Sequence, residues 1–251
     1  MSNKQSPQIL GTAPIGKLLV EYSLPAIIAM TVVSLYNVID SIFIGHGVGA
    51  MAIAGLAITF PLMNLIIAFC TLVGVGAATI SSIYMGQKDI QRATFVLHNA
   101  AILLLTNGLL VTIVTLIFLD PILLFFGASH ETLPYARDFM QVILIANPIA
   151  YLFVGLNNLM RATGYPKKAM LSSFLTVAVN VIVAPIFIFV MDWGIRGAAM
   201  ATAIAQLTGL VWVLAHFLNK KSFISFKKGC FKLHRRIVAS ILSIGMSPFL
   251  M

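Results

Sequence analysis

The sequence contains the stretch FVLHNAAILLLTNGLLVTIVTLIFL at residues 95–119, and none of its residues is Asp, Glu, Lys or Arg. About 20 apolar residues in an α-helix cross the hydrocarbon core of a bilayer, so this stretch is long enough to do so. Membrane β-strands would instead show alternating segments of about ten residues. The stretch is apolar on every side, and it therefore predicts a membrane-spanning α-helix whose backbone groups are satisfied internally.

Five further apolar runs accompany it. The six predicted helices cover residues 18–44, 53–82, 95–119, 139–159, 169–191 and 198–218. The whole chain is 60% hydrophobic and 9% charged, with a mean hydropathy of +1.01. A composition of this kind exposes too much apolar surface for a water-soluble domain. The predicted fold class is an all-α integral membrane protein with a six-helix transmembrane lobe.

The charges between the runs predict the orientation of the lobe. Of the 16 Lys and Arg residues, all except Arg137 and Arg196 lie before the first run or in every second gap after it. Cytoplasmic loops carry this excess of cations, so the amino terminus and these gaps are predicted to be cytoplasmic in a multi-pass plasma (inner) membrane protein. The net charge of +9 is consistent with basic loops that are attracted to anionic membrane lipid headgroups, and we do not assign it to nucleic-acid binding.

The end of the sequence predicts a second lobe. We expect a cytoplasmic amino-terminal segment at residues 1–17, the transmembrane lobe at 18–218, a basic inter-lobe loop at 219–236 and the truncated start of a seventh helix at 237–251. The segment ILSIGMSPFLM (241–251) resembles LLVEYSLPAII (18–28), with Pro248 in the place of Pro25. Chance is the alternative explanation. A repeat predicts half of a two-lobe, twelve-helix transporter whose other six-helix lobe is missing from this chain.

Asp40 is the one carboxylate well inside an apolar run, since Glu21 stands near the end of its run. A charge at this depth costs about 2.5–3.5 kcal/mol on insertion scales, which makes an intramembrane acid a functional candidate. A carboxyl group there can bind a proton or a sodium ion and exchange it for another molecule. The alternatives are a carboxylate wetted at the outer interface and a structural hydrogen-bond acceptor. Tyr36 and Asn37 place further polar groups beside it and are candidates for the substrate cavity.

Two other intramembrane polar residues, Asn180 and Thr202, are expected at depths that Asp40 can reach. Amide and hydroxyl oxygens are suitable ligands for sodium, and they also orient a carboxyl group. Taken singly, such residues more often make helix–helix contacts. Asn157 lies nearer the cytoplasm and is assigned to the cavity wall, and Pro25 is expected to bend the first helix. We predict no cofactor, and no metal beyond a transported sodium ion at this site.

Several short motifs, in this order and spacing, resemble the multidrug and toxic compound extrusion family. They are DSIFIG (40–45), TFPL (59–62), GVG (74–76) followed by GQKD (86–89), RATGYP (161–166), and Asn180 followed by PIFIF (185–189). The resemblance runs from about Gly16 to Met251. It implies an antiporter, driven by protons or sodium, that exports drugs or small organic metabolites, organic cations among them, by alternating access. It also implies that Asp40, Asn180 and Thr202 form the cation site and that Pro25 marks the bend.

Two positions depart from that family. Its members commonly carry an aspartate four residues after the asparagine and a tyrosine early in the fourth helix, where this chain has Ala184 and Phe139. A single acid surrounded by neutral oxygens suits a proton better than sodium, which prefers more negative charge. The sequence therefore predicts proton coupling ahead of sodium coupling.

Three alternatives are weighed against export. A lipid-linked oligosaccharide flippase of similar architecture would need several cations for pyrophosphate, and the predicted runs contain none. A truncated, non-transporting membrane scaffold is the second alternative. A membrane-embedded enzyme would need paired aspartates, a His-Glu metal motif or a serine or aspartate dyad, and no such pattern appears in the sequence. We predict a protein that is not an enzyme.

Overall fold

A computed structural model describes residues 15–219, 222–226 and 233–250. Its helices are α1 (Ile15–Gly47), α2 (Ala50–Gly86), α3 (Ile90–Ile117), α4 (Leu119–Phe125), α5 (Leu133–Ala162), α6 (Pro166–Pro185), a π-helical segment (Ile186–Val190), α7 (Gly194–Leu218) and α8 (Arg235–Phe249). No strand occurs in the part of the chain that the structure describes. The all-α prediction is confirmed.

The six predicted membrane helices are also confirmed. Helices long and apolar enough to cross a bilayer are Ser23–Gly47, Ala50–Gly86, Ile90–Ile117, Leu133–Ala162, Pro166–Val190 and Gly194–Leu218, within the described residues. Most of them extend beyond the predicted runs, and the fourth begins at Leu133 rather than 139 and continues to Ala162. Hydropathy marks only the part of a helix that lies in lipid, whereas the hydrogen-bonded backbone continues into the polar residues at each end.

Prolines interrupt the long helices without ending most of them. Pro25, Pro61 and Pro148 lie inside α1, α2 and α5. Pro185 ends α6, and the chain continues as the π-helical segment. A proline inside a helix removes one backbone hydrogen bond, yet each of these three helices continues past its proline.

Helix α5 occupies the centre of the lobe, where it packs against α2, α3, α6 and α7. In its most apolar window 56% of the residues are buried, compared with 17% in α1. Leu144, Leu156 and Met160 on α5 are fully buried. A Cβ atom built on Gly74 of α2 would lie 3.1 Å from the Cα of Gly155, so these two helices approach closely through small residues.

Helix α8 packs directly against α2. A Cβ atom built on Gly245 would lie 1.7 Å from the carbonyl oxygen of Leu72, and one built on Gly76 would lie 2.1 Å from that of Ile241. The two backbones therefore touch, and any side chain at Gly76 or Gly245 would separate them. At the start of α8, the backbone N–H of His234 donates to Oδ1 of Asn99 on α3 at 2.8 Å.

The lobe has two ends of different charge. The basic end is where α2 joins α3 and α5 joins α6; its cations include Arg92, Arg161, Lys167, Lys168, Arg235 and Arg236. At the far end, Arg137 forms an ion pair with Asp120, and Arg196 forms one with Asp138 at 2.7 Å. The two cations that depart from the charge alternation are therefore each paired with an acid.

The connection from α7 to α8 is described at residues 222–226. Ile224 and Ser225 are buried there, and the N–H of Phe226 donates to the carbonyl of Phe217 at 3.0 Å. The ring of Phe223 packs against Tyr165, with ring centroids 5.6 Å apart. Burial raises the pKa of Tyr165, which is therefore a neutral phenol at physiological pH. All five lysines of the predicted basic loop, together with Cys230 and the amino-terminal residues 1–14, lie outside the described residues.

Candidate functional site

Three side chains from different helices meet in a hydrogen-bonded polar cluster, which consists of Tyr36, Asn180 and Thr202. The Oη of Tyr36 lies 3.1 Å from Oγ1 of Thr202, and Nδ2 of Asn180 donates to the same Thr202 oxygen at 3.1 Å. Nδ2 of Asn180 also donates to the Tyr36 oxygen at 3.5 Å. The polar cluster therefore joins α1, α6 and α7 inside the lobe.

The direction of these hydrogen bonds follows from donor counting. Thr202 donates its hydroxyl hydrogen to the carbonyl of Ala198, one turn earlier on α7, at 3.2 Å. Tyr36 must therefore be the donor to Thr202, because each hydroxyl has a single hydrogen. Both contacts of Asn180 use its amide nitrogen, and its carbonyl oxygen remains free of any donor in the described part of the chain. That oxygen is available as a ligand for a cation.

Asp40 lies one helical turn after Tyr36, on the same face of α1. Only 8% of its surface is exposed, and its Oδ1 has no hydrogen-bond partner among the described residues. The structure thus brings Tyr36, Asn180 and Thr202 together and places Asp40 beside them, without a hydrogen bond to Asn180 or Thr202. A buried carboxylate oxygen without a donor is costly, and a bound proton or cation removes that cost.

A cavity of about 450 Å³ opens beside the polar cluster. Its lining includes Tyr36, Asn37, Asn180, Thr202 and Asn157, which are five of the seven residues that the sequence singled out. Asp40 and Pro25 are not part of the lining, and Pro25 is buried inside α1. The remaining walls come mostly from apolar side chains of α2, α5 and α6, among them Ile66, Tyr151, Phe153 and Val177.

Asn157 lies toward the basic end of this cavity, away from the polar cluster. Its Nδ2 donates to Oγ of Ser173 on α6 at 3.3 Å, and its Oδ1 is buried without a partner among the described residues. Ser173 donates its own hydrogen to the carbonyl of Ala169 at 3.3 Å, so it can only accept from Asn157. This arrangement fixes the orientation of the amide and leaves its oxygen unsatisfied.

The structure adds Arg161 to the lining of the cavity. The sequence placed this arginine in the gap after the fourth run, because the hydropathy signal ends at residue 159. The helix continues to Ala162, so Arg161 stands one turn after Asn157 on the same face. The four-residue spacing of Asn157 and Arg161 was the available signal, and the predicted end of the helix hid it.

Several other polar groups in the lining are engaged in packing. Nδ2 of Asn147 donates to Oγ1 of Thr112 at 3.2 Å, and the hydroxyl of Tyr151 donates to the carbonyl of Ile66 at 2.6 Å. Cys70 is a buried free thiol whose Sγ lies 3.8 Å from the carbonyl of Tyr151. These bonds hold α5 against α2 and α3 and give the cavity a fixed wall.

The two positions where the sequence departs from the family pattern are both buried. Ala184 is fully buried and Phe139 is 4% exposed. Neither supplies an oxygen ligand. Within the described residues, no group of three His, Cys, Asp or Glu side chains is close enough to hold a metal ion. Asp40 is therefore the only acid that this lobe brings to the polar cluster within the part that the structure describes.

Comparison with known proteins identifies a family and several proteins that are similar to this chain. Residues 25–186 match the MatE family model. The multidrug export protein MepA of Staphylococcus aureus (strain NCTC 8325 / PS 47) is 30% identical over 239 residues, which are 95% of this chain and 53% of the relative. The chain therefore spans about half the length of the curated relatives that it matches.

Solved structures agree with these sequence matches. An outward-facing multidrug resistance MATE family transporter of the MOP superfamily is 29% identical with a TM-score of 0.91, covering 100% of this chain and 55% of the transporter. The inward-facing conformation of such a transporter gives a TM-score of 0.81 at 28% identity, covering 86% of this chain and 49% of the transporter. These relatives are transporters rather than enzymes, as the sequence predicted for this chain.

Proposed function

This chain belongs to the MatE family, and we propose that it forms one lobe of a cation-coupled antiporter that exports drugs or other small organic molecules by alternating access. The observation that carries the proposal is Asp40, a buried carboxylate with an unpartnered oxygen. It lies one helical turn after Tyr36, which belongs to the polar cluster and lines the cavity. An intramembrane acid of this kind is costly unless it binds an ion.

The relatives support drugs as the exported molecules. The similar MepA protein is described as a multidrug export protein. A cavity of about 450 Å³ with apolar walls and a few convergent polar groups suits small organic molecules of varied shape. Organic cations belong to this proposed range, and a second lobe would complete the path between the two halves.

Asp40 couples ion binding to the position of α1. When its carboxylate is ionised, the unpartnered oxygen disfavours the buried arrangement; when it holds a cation, the same arrangement is relieved of that cost. Helix α1 is sparsely buried and contains Pro25, where we expect it to bend, so it can respond to this difference. The outward-facing and inward-facing relatives support a transporter with two states.

A proton is the favoured ion. Sodium binds best where several oxygen ligands and more than one negative charge converge, whereas a proton needs a single carboxylate. The buried Ala184 and Phe139 supply no further oxygen, and Asn180 offers one neutral carbonyl. We therefore infer proton coupling ahead of sodium coupling.

We assign the basic end of the lobe to the cytoplasm and infer that the amino terminus lies inside the cell and the protein in the plasma membrane. The paired Arg137 and Arg196 at the far end support this orientation, because their charges are offset by Asp120 and Asp138. Neither the flippase nor the scaffold alternative gains support. The cavity lining contains one described cation, which is too little positive charge for a pyrophosphate.

Drug efflux tests the proposal. Cells expressing the full-length protein should export ethidium, and Asp40→Asn should abolish the export because the amide cannot bind and release a proton. Asp192→Asn is the matched control, since Asp192 is exposed at the far end and its left-handed backbone accommodates asparagine. Normal efflux by Asp40→Asn would show that this residue has no coupling role.

The coupled ion is tested in proteoliposomes with imposed gradients. Ethidium transport should follow a pH gradient at equal sodium on both sides, and Asp40→Asn should remove that dependence. Transport that follows a sodium gradient and ignores the pH gradient would exclude proton coupling while leaving drug export in place.

A further inference from the structure

The cavity has an unbalanced charge. Among its described lining residues Arg161 is the one charged side chain, and no carboxylate is present. Arg161 is half-buried, and its guanidinium makes no ion pair or hydrogen bond with any residue that the structure describes. Arg92, at the same end of the lobe, is exposed and pairs with Asp89 at 3.2 Å. Arg161 thus presents an uncompensated positive charge to the cavity.

A second unsatisfied group lies one turn away. Oδ1 of Asn157 is buried without a donor, and the residue is only 6% exposed. The bond to Ser173 fixes this oxygen as an acceptor. Because a buried acceptor without a partner is unfavourable, the position favours a ligand or water that supplies an N–H or O–H group. The basic end of the cavity therefore combines an anion-binding group with a hydrogen-bond acceptor.

We propose that Arg161 and Asn157 form a subsite for the carboxylate of the exported molecule, so that the substrates include amphiphilic acids and zwitterions. Arg161 binds the carboxylate in a bidentate arrangement, and Asn157 accepts a hydrogen bond from the same molecule. The single positive charge of Arg161 balances the single negative charge of a carboxylate. A phosphate monoester carries nearly two negative charges, so about half of its charge would remain unbalanced. This inference rests on the proposed export function and narrows its substrate class.

The length of the cavity fits such a molecule. Ser173, the partner of Asn157, precedes Asn180 by seven residues on α6, which corresponds to a rise of about 10 Å. Between these levels the wall is largely apolar and includes Ile66, Phe153 and Val177. A carboxylate at Arg161 leaves room for an aromatic or aliphatic body that extends toward the polar cluster.

Two fluorescent dyes test the proposal because they differ at one group. Rhodamine 110 carries a free carboxylate, and rhodamine 123 is its methyl ester. Binding of each dye to the purified full-length protein is measured by fluorescence anisotropy, and export of each dye is measured in proteoliposomes. Arg161→Gln should weaken rhodamine 110 binding about tenfold or more, which is the size expected for loss of a hydrogen bond to a charged group. Rhodamine 123 binding should stay within about twofold.

Three further variants keep the test independent of one substitution. Arg161→Lys should restore part of the preference for the carboxylate, because it keeps the charge and loses the bidentate geometry. Asn157→Asp should lower rhodamine 110 binding by placing an acid one turn from Arg161. Arg92→Gln, which removes the same charge from the same end outside the cavity, should change neither dye.

The proposal is overturned if Arg161→Gln weakens both dyes equally, if it weakens neither, or if the parent protein binds rhodamine 123 and not rhodamine 110. Phospholipid extracted with each protein is also counted: loss of bound lipid in Arg161→Gln with unchanged dye binding would assign the subsite to a lipid phosphate and overturn the proposal. Failure to export either dye would contradict the proposed function, while the binding measurement would still decide the role of Arg161.

Discussion

Helices α1 and α5 both cross the lobe, both contain one internal proline and both line the cavity, yet they differ in how they are held. In the most apolar stretch of α5 more than half of the residues are buried, whereas in that of α1 only 17% of the residues are buried. The α5 side chains are fixed by bonds to α2, α3 and α6, whereas α1 is joined to other helices by the hydrogen bonds of Tyr36. The helix that carries Asp40 is thus held much less firmly than α5.

This difference separates stability from function. A helix that moves between two states cannot have many packing contacts that exist in one state only. Such contacts would stabilise that state and oppose the movement. Helix α5 supplies the fixed wall and the anion-binding end of the cavity. Helix α1 supplies the acid and carries Pro25, where we expect the helix to bend. Substitutions in α5 are therefore expected to change the free energy of unfolding, and those in α1 are expected to change transport.

The largest expected effect on stability comes from Gly155→Ala in α5. The added Cβ would lie 2.3 Å from Cδ1 and 2.5 Å from Cδ2 of Leu104, which is fully buried. Overpacking of this kind costs about 1–3 kcal/mol. The thermal unfolding midpoint of the purified full-length protein should fall.

The matched control for Gly155→Ala is Gly16→Ala in α1, where an added Cβ meets nothing within 4 Å. That change should leave the midpoint unchanged or raise it slightly, since alanine favours a helix more than glycine does. An equal fall in both variants would remove the contrast between the two helices.

Tyr36→Phe is expected to have the next largest effect. It removes the hydroxyl that bonds to Thr202 and Asn180, at a cost of about 0.5–1.5 kcal/mol. Export should slow more than stability falls, because the substitution releases α1 from the polar cluster. Tyr84→Phe, outside the cavity lining, should preserve both. If Tyr36→Phe lowered stability as much as Gly155→Ala while export persisted, α1 would be a structural helix.

Asp40→Asn should stabilise the protein while it abolishes export. Replacing a buried carboxylate that lacks a donor with a neutral amide removes part of the desolvation cost, and we expect a gain of about 1 kcal/mol or less. Thermal unfolding of the purified variant, together with its ethidium transport in proteoliposomes, checks whether stability rises while export is lost. A fall in stability would indicate that the carboxylate is a structural hydrogen-bond acceptor.

Pro25→Ala is expected to have the smallest effect on stability, a change of about a few tenths of a kcal/mol, because the alanine removes the bend from a helix with few packing contacts. Export should nevertheless fall, since α1 would favour one shape. Pro148→Ala in α5 is the comparison, and it should affect stability more than export. Unfolding midpoints together with transport rates for the two variants test this assignment.

The candidate site was partly predictable from the sequence. Asp40 was found because a charge inside an apolar run is visible without any structure. Asn180 and Thr202 were selected by their depth, and the hydrogen bond that joins them was not predictable, since depth along a helix does not specify direction around it. Arg161 was missed because hydropathy cannot mark a residue that lies beyond the apolar run and still points into the cavity.

The sequence by itself determined the membrane class, the six spanning helices and the alternation of charge between their ends. These features follow from lipid as a solvent, which requires apolar runs of a set length and helices that satisfy their own backbone. Only the tertiary structure decided which faces meet: that α5 is central, that α8 touches α2 at Gly76, and that Tyr36 reaches Thr202. A helix that is apolar on all sides has no amphipathic face to reveal its partner, so that choice depends on packing and a few hydrogen bonds.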